Sequence, residues 1–182
     1  ETDAEMTLTL TKQEKRRGWF YLAAQMLLIP FAVAMVCSML GITSEADLNL
    51  ICFAINAALA VLLFRELLTR SFPDSRDRWR ESVKTALGGF GLYWLASLAV
   101  TALTLALKPD FSNVNDASVN TMLSERPLLM TVAVVFAAPL AEECLFRGWM
   151  FTGLMERSPV LAYTLTCAFF SAVHILPYIG IY

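Results

Sequence analysis

Two acids and a base stand where a chain this apolar has little use for charge. Glu142, Glu143 and Arg147 lie in the run AEECLFRGWMF, positions 141–151. A charged side chain at mid-bilayer costs roughly 2.5–3.5 kcal/mol on insertion scales, so three together face about 7–10 kcal/mol unless they meet partners or water. Such groups are not expected to face lipid. Glu143 and Arg147 are four residues apart, a spacing that puts them on one helix face and lets them form a charge-assisted pair. Glu142, about 100° further round the helix, is left needing another polar neighbour or water. His174, the only histidine, can supply it. Ser158 and Pro159 mark a turn, and Glu142 and His174 each lie sixteen residues from Ser158. Equal path lengths put them at similar depth, up to about 24 Å from the turn for straight helices. A carboxylate facing an imidazole can hold a water, one group taking its proton and the other orienting it. Pro139, three residues before Glu142, removes a backbone hydrogen bond and is expected to bend the helix and open a polar cavity there. Each residue also has a purely structural reading, a register-fixing ion pair and a core histidine bonded to a carbonyl. The unpaired acid at the depth of the histidine favours chemistry.

The elements that must position these groups are membrane spans. With 57% apolar and 16% charged residues in 182, the composition is that of an integral membrane protein. The fold class expected is an all-α polytopic transmembrane helix bundle of about five spans: 18–40, with Pro30 as a kink, then 48–64, 85–107, 128–155 and 158–182. The first run is longer than the apolar core of a cleaved signal peptide. GITSEAD makes the first connection a tight turn. Gly88, Gly89 and Gly91 soften the third run and allow close helix approach. The domain reading is an N-terminal segment 1–17, spans one to three with their loops over 18–127, and a catalytic part over 128–182.

Lys and Arg gather before the first span, at Lys12, Lys15, Arg16 and Arg17, and between the second and third, from Arg65 to Lys84. The Lys108–Pro127 connection holds only Lys108 and Arg126. Basic residues stay on the cytoplasmic side, so the N-terminus is expected to be cytoplasmic in a multi-pass protein of the cell membrane. Net charge is −2 and no basic stripe exists, which sets nucleic acid aside as a partner. Cys37, Cys52, Cys144 and Cys167 lie in apolar runs without C-x-x-C spacing, arguing against a zinc cluster or disulfide framework.

EECLFR fits the pattern E-E-x-x-x-R, and FSAVH, Phe170 to His174, fits F-x-x-x-H. Together, with Pro139 before them and a glycine after Arg147, these motifs resemble the CAAX-protease and bacteriocin-processing membrane proteins, the CPBP or Abi family. The resemblance covers mainly residues 128–182. It implies an intramembrane endopeptidase acting on a lipidated or membrane-inserted protein or peptide. Glu142 would activate water and His174 would help hold it. Glu143 and Arg147 would organise the site, and Phe170 would shape the pocket. Members are often labelled metalloproteases, so the resemblance brings a divalent metal such as zinc with it, whereas one histidine, two acids and the adjacent Arg147 do not by themselves call for one. The family's third motif, a histidine followed four residues later by Asn or Asp, has no counterpart in the eight residues after His174. The chain begins with Glu1 rather than Met and ends in an apolar run, so a longer natural protein is expected, with residues 1–182 alone lacking part of the hydrolytic machinery. The alternatives are a non-proteolytic membrane protein, such as a bacteriocin self-immunity factor or partner scaffold, and a transporter.

Overall fold

The computed structural model describes residues 9–77, 79–109 and 114–175. Every regular element among them is helical, as an apolar chain must be where no water can satisfy its backbone. Four helices are long and apolar enough to cross a membrane: α1 (Lys12–Met39), α2 (Glu45–Asp77, apolar over Glu45–Ser71), α3 (Trp79–Leu107) and α5 (Pro127–Met155). Between α3 and α5 lies α4 (Val114–Glu125), and α6 (Pro159–Ile175) is a shorter apolar helix of 17 residues. The chain is a multi-pass membrane protein. The fifth expected span is present as α6 over its first part, and 176–182 fall outside the described residues.

Both charged connections differ from the loops expected of them. α2 continues to Asp77 and α3 starts at Trp79, so Arg65 to Lys84 extends the helices past the apolar stretch. In the Lys108–Pro127 connection, α4 carries Val119, Met122 and Leu123 at helical spacing, and they pack with Ala46 and Met130. Across that end Ser44 Oγ donates to Glu125 Oε2 at 2.9 Å, and Arg126 donates through Nε and an Nη to the two Asp47 oxygens at 2.8 and 3.0 Å.

The turn between α1 and α2 follows from local chemistry. Gly41 takes φ +73°, donates its N–H to Ser38 O at 3.2 Å, and Ile42 donates to Cys37 O at 2.8 Å. That is the Schellman closure, in which a residue without Cβ satisfies the last carbonyls. Ser44 Oγ then accepts the N–H of Asp47 at 3.2 Å and caps the start of α2. At its other end α1 opens on a capping box between Thr11 and Glu14.

Pro30 and Pro139 are accommodated in the same way. The residue before each donates to the carbonyl five back, Ile29 to Ala24 and Ala138 to Ala133, closing a π turn at 24–28 in α1 and at 133–137 in α5. The wider turn answers the ring's clash with the preceding turn and its missing N–H. A third π stretch, Glu143–Phe151, follows at once in α5. The expected bend at Pro139 is thus a change of helical pitch on both sides of Glu142.

The principal core lies where α1, α2 and α5 meet, built from Tyr21, Ala60, Phe64, Leu67, Ala141, Cys144, Leu145, Phe146 and Trp149. Gly18 decides the approach of α1 to α5. A Cβ there would lie 2.1 Å from the Trp149 ring, so only glycine lets the indole seat against the backbone. Trp19 meets Trp149 edge-on at 5.0 Å. Charged groups tie the ends of the same helices: Glu14 to Arg70, Arg17 to Glu66 at 3.2 Å, and Glu156 to Lys15 and the Leu10 N–H. The Lys15 ammonium and the Leu10 N–H hold the Glu156 carboxyl below the usual carboxylate range. The four cysteines are free thiols.

Candidate active site

Glu142 ends the short α-helical piece Ala138–Glu142 between two π stretches. Its flanking residues Ala141, Cys144, Leu145 and Phe146 are buried in the principal core, and Glu142 itself is half-buried. The turn expected at Ser158 and Pro159 exists. Ser158 donates to Leu154 O at 3.0 Å, Ala162 donates to Ser158 O at 3.0 Å, and Pro159 opens α6, where its missing N–H leaves nothing unsatisfied. Phe170 of α6 meets Phe146 of α5, and one turn on from that contact in each antiparallel direction the two helices carry His174 and Glu142 at a similar level.

The imidazole is held from two directions. His174 Nδ1 lies 2.8 Å from Phe170 O, one turn earlier. A carbonyl only accepts, so Nδ1 carries the proton, and a neutral ring then presents Nε2 as an acceptor. The Phe170 ring lies against the imidazole with centroids 4.3 Å apart, and meets the buried Phe146 edge-on at 5.0 Å. Phe170 therefore couples α6 to α5 and sets the plane of His174. Phe146, four residues after Glu142, is the anchor that sequence reasoning passed over.

Glu143 and Arg147 pair as their spacing requires, Nε to Oε2 at 3.2 Å. The pair is not buried, however: the side chains are 52% and 78% exposed on the surface of the described bundle. This face lies opposite the one that buries Leu145 and Trp149 in the core. Paired, the two carry no net charge to whatever that face meets. Of the two neighbouring acids, Glu142 is half-buried and Glu143 faces outward with its base.

Two more polar residues stand near Glu142. Tyr21 of α1 is fully buried, donates to Asn56 O of α2 at 3.0 Å, and shares the principal core with Ala141 and Cys144, which flank Glu142. Asn56 is also buried. Both belong to the spans that carried no motif. A separate, largely apolar cavity of about 650 Å³ opens between α1, α5 and α6, lined by Trp19, Leu22, Trp149, Met150, Leu165 and Phe169, with Lys15, Glu156 and Arg157 also at its wall. Glu142 and His174 do not line it.

Among the described residues no group of three or more His, Cys, Asp or Glu side chains is placed to hold a metal ion. With Glu143 engaged by Arg147, the donors at the site reduce to Glu142 and His174. That set does not fit a zinc centre.

Residues 124–182 match the family described as Type II CAAX prenyl endopeptidase Rce1-like. The match begins in α4, takes in all of α5 and α6, and so includes Glu142, Glu143, Arg147, Phe170 and His174. No curated protein and no solved structure matches the chain.

Proposed function

We propose, from the match of residues 124–182 to the Rce1-like type II CAAX prenyl endopeptidases, that the chain is part of an intramembrane endopeptidase that hydrolyses a membrane-associated protein or peptide with glutamate-activated water. The observation that carries the reading is the half-buried Glu142 on the helix that packs, through Phe146 and Phe170, against the one carrying His174, whose ring is fixed by Phe170. In the proposed mechanism a water donates one hydrogen to Glu142 and the other to Nε2 of His174. Glu142 takes the proton as the oxygen attacks the scissile carbonyl, then passes it to the leaving amine, so that acid and base are one group used twice. Glu143 and Arg147 brace the π stretch on which Glu142 stands. No cation is required for these steps.

The substrate class follows the family's printed description, a prenylated protein. An apolar cavity of about 650 Å³ lies within the range that accommodates a lipid-sized chain, and its charged wall residues suit an occupant that enters from the membrane surface. By the same proposal the N-terminus and the α2–α3 junction are cytoplasmic and 108–127 external, because Lys and Arg concentrate at the first pair. Cysteines introduced at Asp77 and Asn115 check this with an impermeant reagent added outside whole cells. Labelling at Asn115 alone is expected, and labelling at Asp77 alone reverses the orientation.

The test of function is reconstitution of the full natural protein in liposomes with a membrane-anchored, prenylated peptide reporter, scored for cleavage and for solute flux. Cleavage with release of a new C-terminus is the expected result. Flux without cleavage would make the polar centre a transport path, and neither would leave the scaffold or immunity reading in its place.

A further inference from the structure

The first two spans bury polar groups that the mechanism above does not use. Asn56 is 8% exposed, and its Oδ1 has no hydrogen-bond partner among the described residues. Gln25 Oε1, one turn beyond Tyr21 on α1, is likewise buried and unpaired. Tyr21, 0% exposed, already donates its hydroxyl hydrogen to Asn56 O, which leaves its oxygen free to accept. In hydrocarbon a bare amide oxygen has no solvent to fall back on, so such an oxygen persists where something donates to it. The nearby guanidinium groups of α1 and α2 are engaged elsewhere: Arg17 is turned to Leu63 O and Glu66, and Arg70 to Glu14. What lies near them is the helix segment that carries Glu142: Tyr21 shares the principal core with Ala141 and Cys144, on either side of that acid, and α2 packs against the same segment.

We propose that Asn56 and Tyr21 are positioning residues that hold bound water in the membrane interior beside Glu142, so that spans α1 and α2 furnish the wet wall of the site. Water is the donor that fits. It is small enough to sit among core side chains, it has two hydrogens to offer Asn56 Oδ1 and the Tyr21 or Gln25 oxygen, and buried waters characteristically make two to four bonds. The π turn directly after Tyr21, at 24–28, widens α1 at the level of Gln25, as π turns commonly do beside functional sites. The function assigned to this water rests on the hydrolase reading, but its presence does not, and the experiment separates them.

Hydroxyl radicals generated by X-ray pulses inside the full natural protein modify side chains that touch water, whatever their depth. Tyr21 is expected to be modified readily, while Met130, equally buried at 0% exposure but among apolar neighbours, is expected to be spared. Modification of neither would overturn the proposal outright. The variant Asn56→Leu should reduce Tyr21 modification several-fold, because the amide that holds the water is gone, and should leave the melting temperature unchanged or raised. In the cleavage assay the same variant should lower kcat by roughly 10–100-fold, the cost of a misplaced reactant, with KM unchanged. Loss of melting temperature in proportion to loss of activity would reduce Asn56 to a packing residue and sink the positioning role. Should the protein cleave nothing, the radical labelling of Tyr21 against Met130 still decides whether the water is there.

Discussion

The third and fourth spans, α3 and α5, are equally apolar over their best eighteen residues, yet α5 buries 28% of that stretch in the bundle and α3 buries none. Apolarity therefore does not decide which helix packs. Lipid solvates leucine as well as another helix does, and association in a bilayer rests on close approach of small residues and on polar contacts. α5 has both. Trp149 seats on Gly18, Glu156 holds Lys15 and the Leu10 N–H, and Phe146 engages Phe170. On α3 a Cβ added at Gly88, Gly89 or Gly91 would meet nothing within 4 Å, and no residue of it is buried among the described residues. The expectation that this glycine group marks a close helix contact is not met among the described residues. The polar site accordingly sits on α5, the span held in place.

Paired substitutions sharpen that contrast. Gly18→Val should be the most damaging, because the branched side chain must push α1 off the Trp149 ring. A loss of about 3 kcal/mol or more is expected, read as unfolding free energy in bicelles and partly restored by adding Trp149→Ala. The matching change Gly89→Val on α3 should fall within about 0.5 kcal/mol of the parent. Equal effects at the two glycines would break the comparison.

A smaller effect is expected of Tyr21→Phe, which deletes the bond to Asn56 O. Interhelical hydrogen bonds in membranes average about 0.6 kcal/mol and reach about 1.7, so a loss in that range is expected, against no change for Tyr93→Phe on the exposed face of α3. The smallest is a pH effect at Glu156. Its carboxyl is held low by Lys15 and the Leu10 N–H, so the folded state gains stability that is present above the unfolded value, near 4.3, and fades as pH falls through the lower folded one. Unfolding measured between about pH 6 and 3 should show an acid-labile component that Glu156→Gln removes. An unchanged acid limb in that variant would mean that the clasp does not contribute.

Much of this was legible because charge inside an apolar run is costly and therefore informative. That criterion found Glu142, Glu143, Arg147 and His174, and the equal spacing from Ser158 put the acid and the histidine at a similar level. Applied one step further, to the single amide in ICFAINAAL, it would have found Asn56. Tyr21 gave no such signal, since a tyrosine in a span reads as an interfacial aromatic until its partner is known. The outward turn of Glu143 and Arg147 was legible in the spacing: at about 100° per residue both stand on the face opposite Leu145, which Ala141 and Trp149 share. The expectation that charge in a span turns inward masked it. α4 was read as loop because its short apolar stripe, Val119, Met122 and Leu123, lies among amides and acids. The solitude of α3 could not be read at all, because a lipid-facing helix and a buried one share one composition.

The central claim is that Glu142, and not its neighbour, does the chemistry. The direct measurement is the cleavage rate of a membrane-anchored reporter by Glu142→Gln and Glu143→Gln in the full natural protein, each normalised to folded protein by its melting curve. The account predicts that Glu142→Gln melts as the parent does and loses about 10²–10⁴ in rate, the usual worth of a general base. Glu143→Gln, whose partner stands open at the surface, should retain most of it. Cleavage at the parental rate by a folded Glu142→Gln protein would contradict the account.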